Sequence, residues 1–358
     1  MTAQPATDDQ THAANVTEQP MPEIEQAANV IEQAASELEL GSFAVSSDEK
    51  LAAVADESPD APLARTTRTT RLVVVTYNIR YAVGSFLITG SLFRRAGLGW
   101  PKRRPALVAR HISRAARALS DGALMPTADL VALQEADRET LRAGGRHVAR
   151  ELARELRMSF AHAFVRHPRD VAPKTKQWWL DFEETIALDE AGETGVAILS
   201  RLPLEAVERV ELPASECAWR PRLALAARVP FGARRLQVFN AHIDPHASTA
   251  GQLAQHEVML KRADAVGRDE PTVLLGDFNT LTRESRTATR ELLEAHGYAS
   301  PLPTGTATWR AGLYRLHADW IFVRGARVAR WGVARPLGVS DHWPVWAEIV
   351  STEDEAAP

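Results

Sequence analysis

The sequence predicts an α/β fold in which mixed β-sheets pack face to face with helices outside. Two observations carry this. Short apolar, β-rich runs bounded by Gly, Pro, Asn, Asp or Ser recur from residue 71 onward, as strands do between turn residues. Some follow each other across hairpin-length links, such as Leu223–Val229 into Leu236–Phe239, and others are separated by amphipathic stretches. Hairpins make antiparallel neighbours and helical crossovers make parallel ones, which argues against a purely parallel doubly wound sheet.

Residues 1–70 read as an acidic, mostly disordered extension. They are rich in Ala, Gln, Thr, Ser and Glu, a composition that buries too little surface to offset chain entropy. One helix is expected within it over 22–40, with Ile24, Ala28, Ile31, Ala35 and Leu38 on one stripe. The main domain is expected over 71–350, and an acidic tail over 351–358. Strands are expected at Leu72–Tyr77, Leu130–Leu133, Val196–Leu199, Leu223–Val229, Leu236–Phe239, Thr272–Leu275, Trp320–Val323 and Val345–Ile349. Helices are expected over 106–119, where Val108, Ile112, Ala115 and Leu119 share a face, and over 145–157, where Val148, Leu152 and Leu156 do.

The chain has 358 residues, 45% of them hydrophobic and 25% charged, the balance of a globular protein with room for one large domain or two ordinary ones. Its single cysteine, Cys217, excludes an intramolecular disulfide and a multi-cysteine zinc cluster. With no base near it in sequence, that thiol reads as inert. No apolar run reaches the ~18–20 residues of a membrane span. No basic segment precedes an apolar core at the N-terminus, so a cytoplasmic location is expected.

The net charge of −4 is unevenly spread. Residues 1–61 hold thirteen acidic residues and one base, and 351–358 hold three more acids. Between them, 62–350 carry 41 Lys and Arg against 30 Asp and Glu. A cationic body favours anionic partners such as nucleic acid, phosphorylated small molecules or anionic lipid heads, an Arg-rich solvated surface being the plainer alternative.

Six of the apolar runs meet, at one end, a residue able to bind a metal or a phosphate. Asn78 follows LVVVTY, Glu135 follows LVALQ, His242 follows LQVFNA, and Asp277 follows TVLLG with Asn279 two residues on. Asp319 opens WIFV, and Asp341 and His342 precede WPVWAEI. Strand ends present side chains rigidly to a cleft, and a carboxylate beside buried runs is costly unless paired or bound to a cation. These types suit metal-assisted attack on phosphate. Glu135 and Asp341 are hard oxygen ligands, and Asn78 can add an amide oxygen, directly or through water. Few protein ligands plus several waters is the habit of Mg²⁺, with Mn²⁺ an alternative. Asp277 can take a proton from the attacking water while Asn279 orients that water or the phosphate. His242 and His342 can donate to the non-bridging oxygens, and Asp319 can hold the tautomer of His342. Taken singly, most of these residues have ordinary readings as turn, cap or satisfied core residues; their joint placement at strand ends carries the argument.

The segments TYNIR (76–80), LVALQEAD (130–137), GVAILSR (195–201), NAHID (240–244), LLGDFN (274–279), ADWIFV (318–323) and SDHWPV (340–345) resemble, in order, the motifs of the endonuclease/exonuclease/phosphatase superfamily. The resemblance implies the DNase-I-like fold, a four-layered α/β sandwich with its site at the top of two central sheets. It implies Asn78, Glu135 and Asp341 on the metal side, Asp277 and Asn279 as the water and phosphate pair, a His342–Asp319 dyad, and His242 facing the phosphate. The activity implied is that of a divalent-metal-dependent phosphodiesterase, nuclease-like. A sphingomyelinase-like or inositol-phosphate phosphoesterase and a non-catalytic binding module are the alternatives.

Some features depart from the pattern or compete with it. Asn78 and Glu135 stand 57 residues apart, a gap lengthened by the basic insertion Ala82–Pro105, which reads as a substrate-facing loop or a packed insertion. His242, Asp244 and His246 form an HxDxH sequence that would suit zinc if His256 or His317 joined them. Trp309 and Trp178–Trp179 could stack on bases or cover a lipid head, or simply pack. Arg222 could line the cleft floor.

Overall fold

The structure is a computed structural model that describes residues 54–56, 69–84, 103–165, 192–214, 222–311, 313–335 and 337–352. The helix expected over 22–40, most of the basic insertion, Trp178–Trp179, Cys217 and the acids of the tail lie outside them.

Two mixed sheets form the centre. The first has the order β1 (Val54–Asp56), β4 (Ser159–Val165), β5 (Thr194–Ser200), β3 (Leu130–Gln134), β2 (Arg71–Asn78), β14 (Val345–Ser351), β13 (Ala326–Val333). The second runs β12 (Asp319–Arg324), β9 (Thr272–Asp277), β8 (Arg234–His242), β7 (Leu223–Phe231), β6 (Glu205–Glu211). A small hairpin, β10 (Trp309–Ala311) with β11 (Tyr314–Leu316), stands apart from both. Each sheet holds one parallel pair, β2 with β3 and β8 with β9, among antiparallel neighbours. Among the described residues the helices are α1 (Arg104–Ser120), α2 (Val148–Leu156), α3 (Thr249–Val266) and α4 (Arg283–Ala295).

Three apolar clusters separate four layers. Val73, Val75 and Tyr77 of β2 pack with Val108 and Ile112 of α1 and Leu152 of α2. Leu72 and Val74, on the opposite face of β2, join Leu225, Val238, Leu275 and Ile321 between the sheets. Phe239, Leu274 and Phe322 pack against Met259 and Leu260 of α3 and Leu293 of α4. Strand alternation therefore sends odd and even residues into different cores. The fold is the four-layered α/β sandwich.

All eight expected strands and both expected helices form, with bounds shifted by a few residues. The helices α3 and α4 carry no apolar stripe that would announce them. The buried face of α3 includes Gln252, Gln255 and His256, and that of α4 Ser285 and Thr289. Local capping shows instead: Ser248 accepts from the Gly251 N–H, and Thr282 and Ser285 form a capping box.

Between the sheets, apolar packing gives way to a polar layer. Asn240 of β8 donates to the carbonyls of Leu133 and Ala197 in the other sheet, at 2.9 Å each. Gln134 of β3 donates back to Asn240 Oδ1 at 2.7 Å and to Thr76 Oγ1 at 3.1 Å. All three side chains are buried. Replacing Asn240 by Ala leaves several of these groups unpaired away from water, at about 1–3 kcal/mol each. Urea denaturation of Asn240→Ala is expected to show a loss of at least about 2 kcal/mol; a loss under about 0.5 kcal/mol, the size of an ordinary surface change, would show that the layer does not lock the sheets.

Candidate active site

Strand register brings the polar ends together. His242 pairs with Asp277 across β8 and β9, and Asp277 with Asp319 across β9 and β12. Directly paired residues share a face, so these three stand in a row facing the first sheet. There Asn78 pairs with Gln134, and Glu135 follows at the end of β3. The strand β14 is antiparallel to β2, so the Ser340–His342 segment just ahead of it arrives beside Asn78. Glycine is required at 276: φ is +153°, and a Cβ would lie 1.9 Å from the Ala241 carbonyl oxygen.

Asn78 links the two sheets. Its Oδ1 accepts from the Arg80 N–H at 3.0 Å, which identifies the other side-chain atom as the donor nitrogen. That nitrogen donates to Glu135 Oε1 at 3.0 Å and to Asp277 Oδ2 at 2.9 Å. Glu135 is half-buried, makes no ion pair among the described residues, and sits in the left-handed region at φ 52°. A non-glycine residue there costs about 1–3 kcal/mol. Its carbonyl, accepting from Tyr81 and Asp137 N–H groups at 3.1 Å each, holds it in place.

Asp277 is buried between two imidazoles. Its Oδ2 lies 3.7 Å from His242 Nε2 and 3.6 Å from His342 Nε2. Its Oδ1 accepts from the Asn279 N–H at 3.0 Å. Burial pushes its pKa up to about 6, opposed by His342 and Asn78 and reinforced by Asp319. His342 Nδ1 lies 2.8 Å from Asp319 Oδ2. Burial alone would strip the imidazole of its proton, but Asp319 and Asp277 outweigh it and raise His342 to about 10. Asp319 is itself fixed through its backbone N–H, which donates to Thr308 Oγ1 at 2.9 Å.

The remaining expected residues line the same end. Asn279, at φ 48°, donates from Nδ2 to the Ile243 carbonyl at 2.8 Å, leaving its amide oxygen as the acceptor. Arg222 Nη1 sits 3.3 and 3.4 Å from the two ring nitrogens of His242, and Nη2 lies 4.0 Å from Asp244 Oδ1. Asp341 Oδ2 accepts from Trp309 Nε1 at 3.1 Å, with Arg80 Nη1 3.4 Å away, and its Oδ1 lies 3.2 Å from Ser340 Oγ.

Four positioning residues were not assigned roles from the sequence. Arg80 and Ser340 lie inside the quoted motifs, but nothing there shows that Arg80 reaches Asp341 or that Ser340 Oγ donates to the Asn78 carbonyl at 2.8 Å. Thr308 and Gln252 had no motif. Gln252 Nε2 donates to the Asp244 and Asn279 carbonyls at 3.0 and 3.1 Å, fixing the turn that carries Asn279.

The HxDxH sequence does not assemble a zinc site among the described residues. Asp244 Oδ1 instead accepts from the His246 N–H at 2.9 Å, closing a turn. His256 packs edge-on against Phe278 and His317 stacks on Trp320. The group of three acidic or imidazole ligand atoms within 4.8 Å of one another is Asp277, Asp319 and His342.

A family model described as the endonuclease/exonuclease/phosphatase family matches residues 75–342. An endonuclease/exonuclease/phosphatase from Beutenbergia cavernae has a similar structure, with TM-score 0.54 and 19% identity over 79% of this chain and 72% of that one. A family protein from Leptotrichia buccalis gives TM-score 0.52 at 14% identity over 78% and 99%. Humanized D. rerio TDP2 gives 0.50 at 16% identity over 79% and 100%. At these identities the likeness is one of fold. No curated protein sequence matches the chain.

In metal-free protein, His342 is expected to keep its proton well above the ordinary histidine range, since Asp319, Asp277 and Asp341 all face it. The folded state binds this proton more tightly than the unfolded one. The stability it contributes is therefore complete below about pH 6.5 and declines as pH rises towards about 10. Imidazole NMR checks this: Asp319→Asn should bring the midpoint down, and an unchanged midpoint would separate Asp319 from the proton.

Proposed function

The chain belongs to the endonuclease/exonuclease/phosphatase family, and on that premise we propose that it is a divalent-metal-dependent phosphoesterase. It hydrolyses a phosphodiester by direct attack of water, and its preferred substrate is a nucleic acid. The observation that carries this is the buried Asp277 carboxylate between two imidazoles, tied through one amide to a half-buried glutamate without an ion-pair partner among the described residues. A proton acceptor, imidazole donors and a hard oxygen ligand are what phosphoryl transfer to water requires.

Asp277 is the general base. At about 6 its raised pKa still leaves it mostly ionised at neutral pH while making it a better proton acceptor than an ordinary aspartate. Asn279 offers its amide oxygen to the same water. His342, cationic between Asp319 and Asp277, donates from Nε2 towards a non-bridging phosphate oxygen. Asp319 holds the ring through Nδ1, so the donor is preorganised and its charge is compensated. His242, backed by Arg222, supplies a second donor.

Glu135 fits a divalent cation through its oxygen chemistry and the lack of any ion-pair partner among the described residues. Asp341, braced by Trp309 and Arg80, stands on the same side. A cation held there supplies charge neutralisation at the phosphoryl group. Asn78 presents its nitrogen to both carboxylates and so sets the spacing between the metal side and the base. Asp277, Asp319 and His342 could together bind a cation, but the Asp319 hydrogen bond and the proton kept on His342 favour the dyad role.

Asp277→Asn is expected to lower kcat by about 10²–10⁴-fold with near-unchanged metal binding; wild-type turnover would remove Asp277 as the base. Glu135→Gln should raise the metal concentration for half-maximal activity at least about tenfold. Assays of DNA, RNA, sphingomyelin and inositol phosphates with Mg²⁺ and with Mn²⁺ test the substrate class, and cleavage confined to lipid or monoester substrates would overturn the nucleic-acid reading.

A further inference from the structure

On the outer side of the first sheet, a groove of about 600 Å³ runs along α1. Arg110, Arg114 and Arg117 line it together with His111, over a floor that includes Leu124 and Leu337. The three arginines recur at i, i+4 and i+7, so they stand on one face of the helix. At 1.5 Å per residue the row is about 10 Å long. All three are exposed, and none makes an ion pair among the described residues. Asp121 closes one end of the groove, but its Oδ1 accepts from the Ala123 N–H at 2.9 Å.

This groove touches the loop that delivers the catalytic side chains. The Arg114 guanidinium packs over Gly338, where an added Cβ would lie 3.6 Å from Nη1. His111 Nδ1 lies 2.8 Å from the carbonyl oxygen of Ala82, and Gly84 N–H donates to the Val339 carbonyl at 2.9 Å. Leu337 is four residues before Asp341, so that part of the groove lies at most about 14 Å from Asp341. One nucleic-acid strand carries a phosphate about every 3.4 Å of helix axis. A polymer with its scissile phosphate at Asp277 and His342 therefore reaches the Leu337 edge of the groove within a few nucleotides.

We propose that the α1 groove is a second phosphate-binding subsite, where Arg110, Arg114 and Arg117 hold backbone phosphates of a nucleic-acid strand on one side of the scissile bond. This rests on the nucleic-acid reading of the catalytic site and adds to it a specificity device. Three mutually repelling guanidinium groups over a concave surface lose that repulsion when a polyanion lies between them. Arginine pairs phosphate bidentately, which adds geometric specificity as well as affinity. A short diester reaches the catalytic residues but not the groove, so polymer and small substrate should respond differently to the arginines.

The test replaces Arg110, Arg114 and Arg117 together by Ala, which helices accept well at exposed positions. Anisotropy of a labelled single strand of about 20 nucleotides is measured in EDTA across a NaCl series. The variant should bind at least about tenfold more weakly, and its log K against log[salt] slope should be shallower by about 2, for three lost contacts at about 0.7 each. Lys at all three positions should restore most of the slope, which separates lost charge from lost structure. With Mn²⁺, hydrolysis of bis(p-nitrophenyl) phosphate by the Ala variant should match wild type. Equal affinity and slope in the variant overturn the subsite, as does binding of anionic vesicles through these arginines without binding of the strand. Failure of the wild type to hydrolyse any diester would overturn the catalytic reading instead, while the anisotropy would still decide the groove.

Discussion

Half of the candidate site stands on one sheet and half on the other, so everything rests on the sheets meeting in a single register. Apolar side chains alone would allow the sheets to slide, because dispersion and burial are not directional. The polar layer removes that freedom. Asn240 reaches two carbonyls of the opposite sheet and receives Gln134, and each of these bonds is lost if the sheets shift by a residue. Directly beyond it, Asn78 bridges Glu135 and Asp277. The clamp and the site are thus consecutive layers of one polar column.

The same burial that makes the column costly makes it chemically useful. Away from water, Asp277 becomes a more basic carboxylate, and His342 becomes a cation held by Asp319. In a high-dielectric surface setting these shifts would be far smaller. The strain at Glu135 is offset in the same way: the carbonyl of this left-handed glutamate accepts two hydrogen bonds and its carboxylate accepts one from an amide. Packing energy from three apolar clusters supports a strained, polar edge.

The helices contribute unequally. On one side α1 offers a standard apolar face to β2 and leaves Arg110, Arg114 and Arg117 outward. On the other, α3 turns amides and an imidazole inward, and Gln252 and Gln255 hold the backbone around Asp244 and Asn279. That face trades hydrophobic burial for directional bonds near the candidate chemistry, which is why periodicity overlooks it.

The layered α/β architecture is legible in the residues alone, because apolar runs with turn residues at their ends can satisfy their backbones and bury their side chains in few other ways. The sequence also marked the strand-end residues, from Asn78 through Glu135, His242, Asp277 and Asp319 to His342, since a polar residue closing a buried run is conspicuous. Tertiary structure alone decided their partners. That Asn78 spends its nitrogen on two carboxylates, that Arg80 and Trp309 brace Asp341, and that Asn240 pins the sheets all depend on distances between residues far apart along the chain. Hydrogen bonds select by geometry within a few tenths of an ångström, and a linear pattern of residue types carries no such distances.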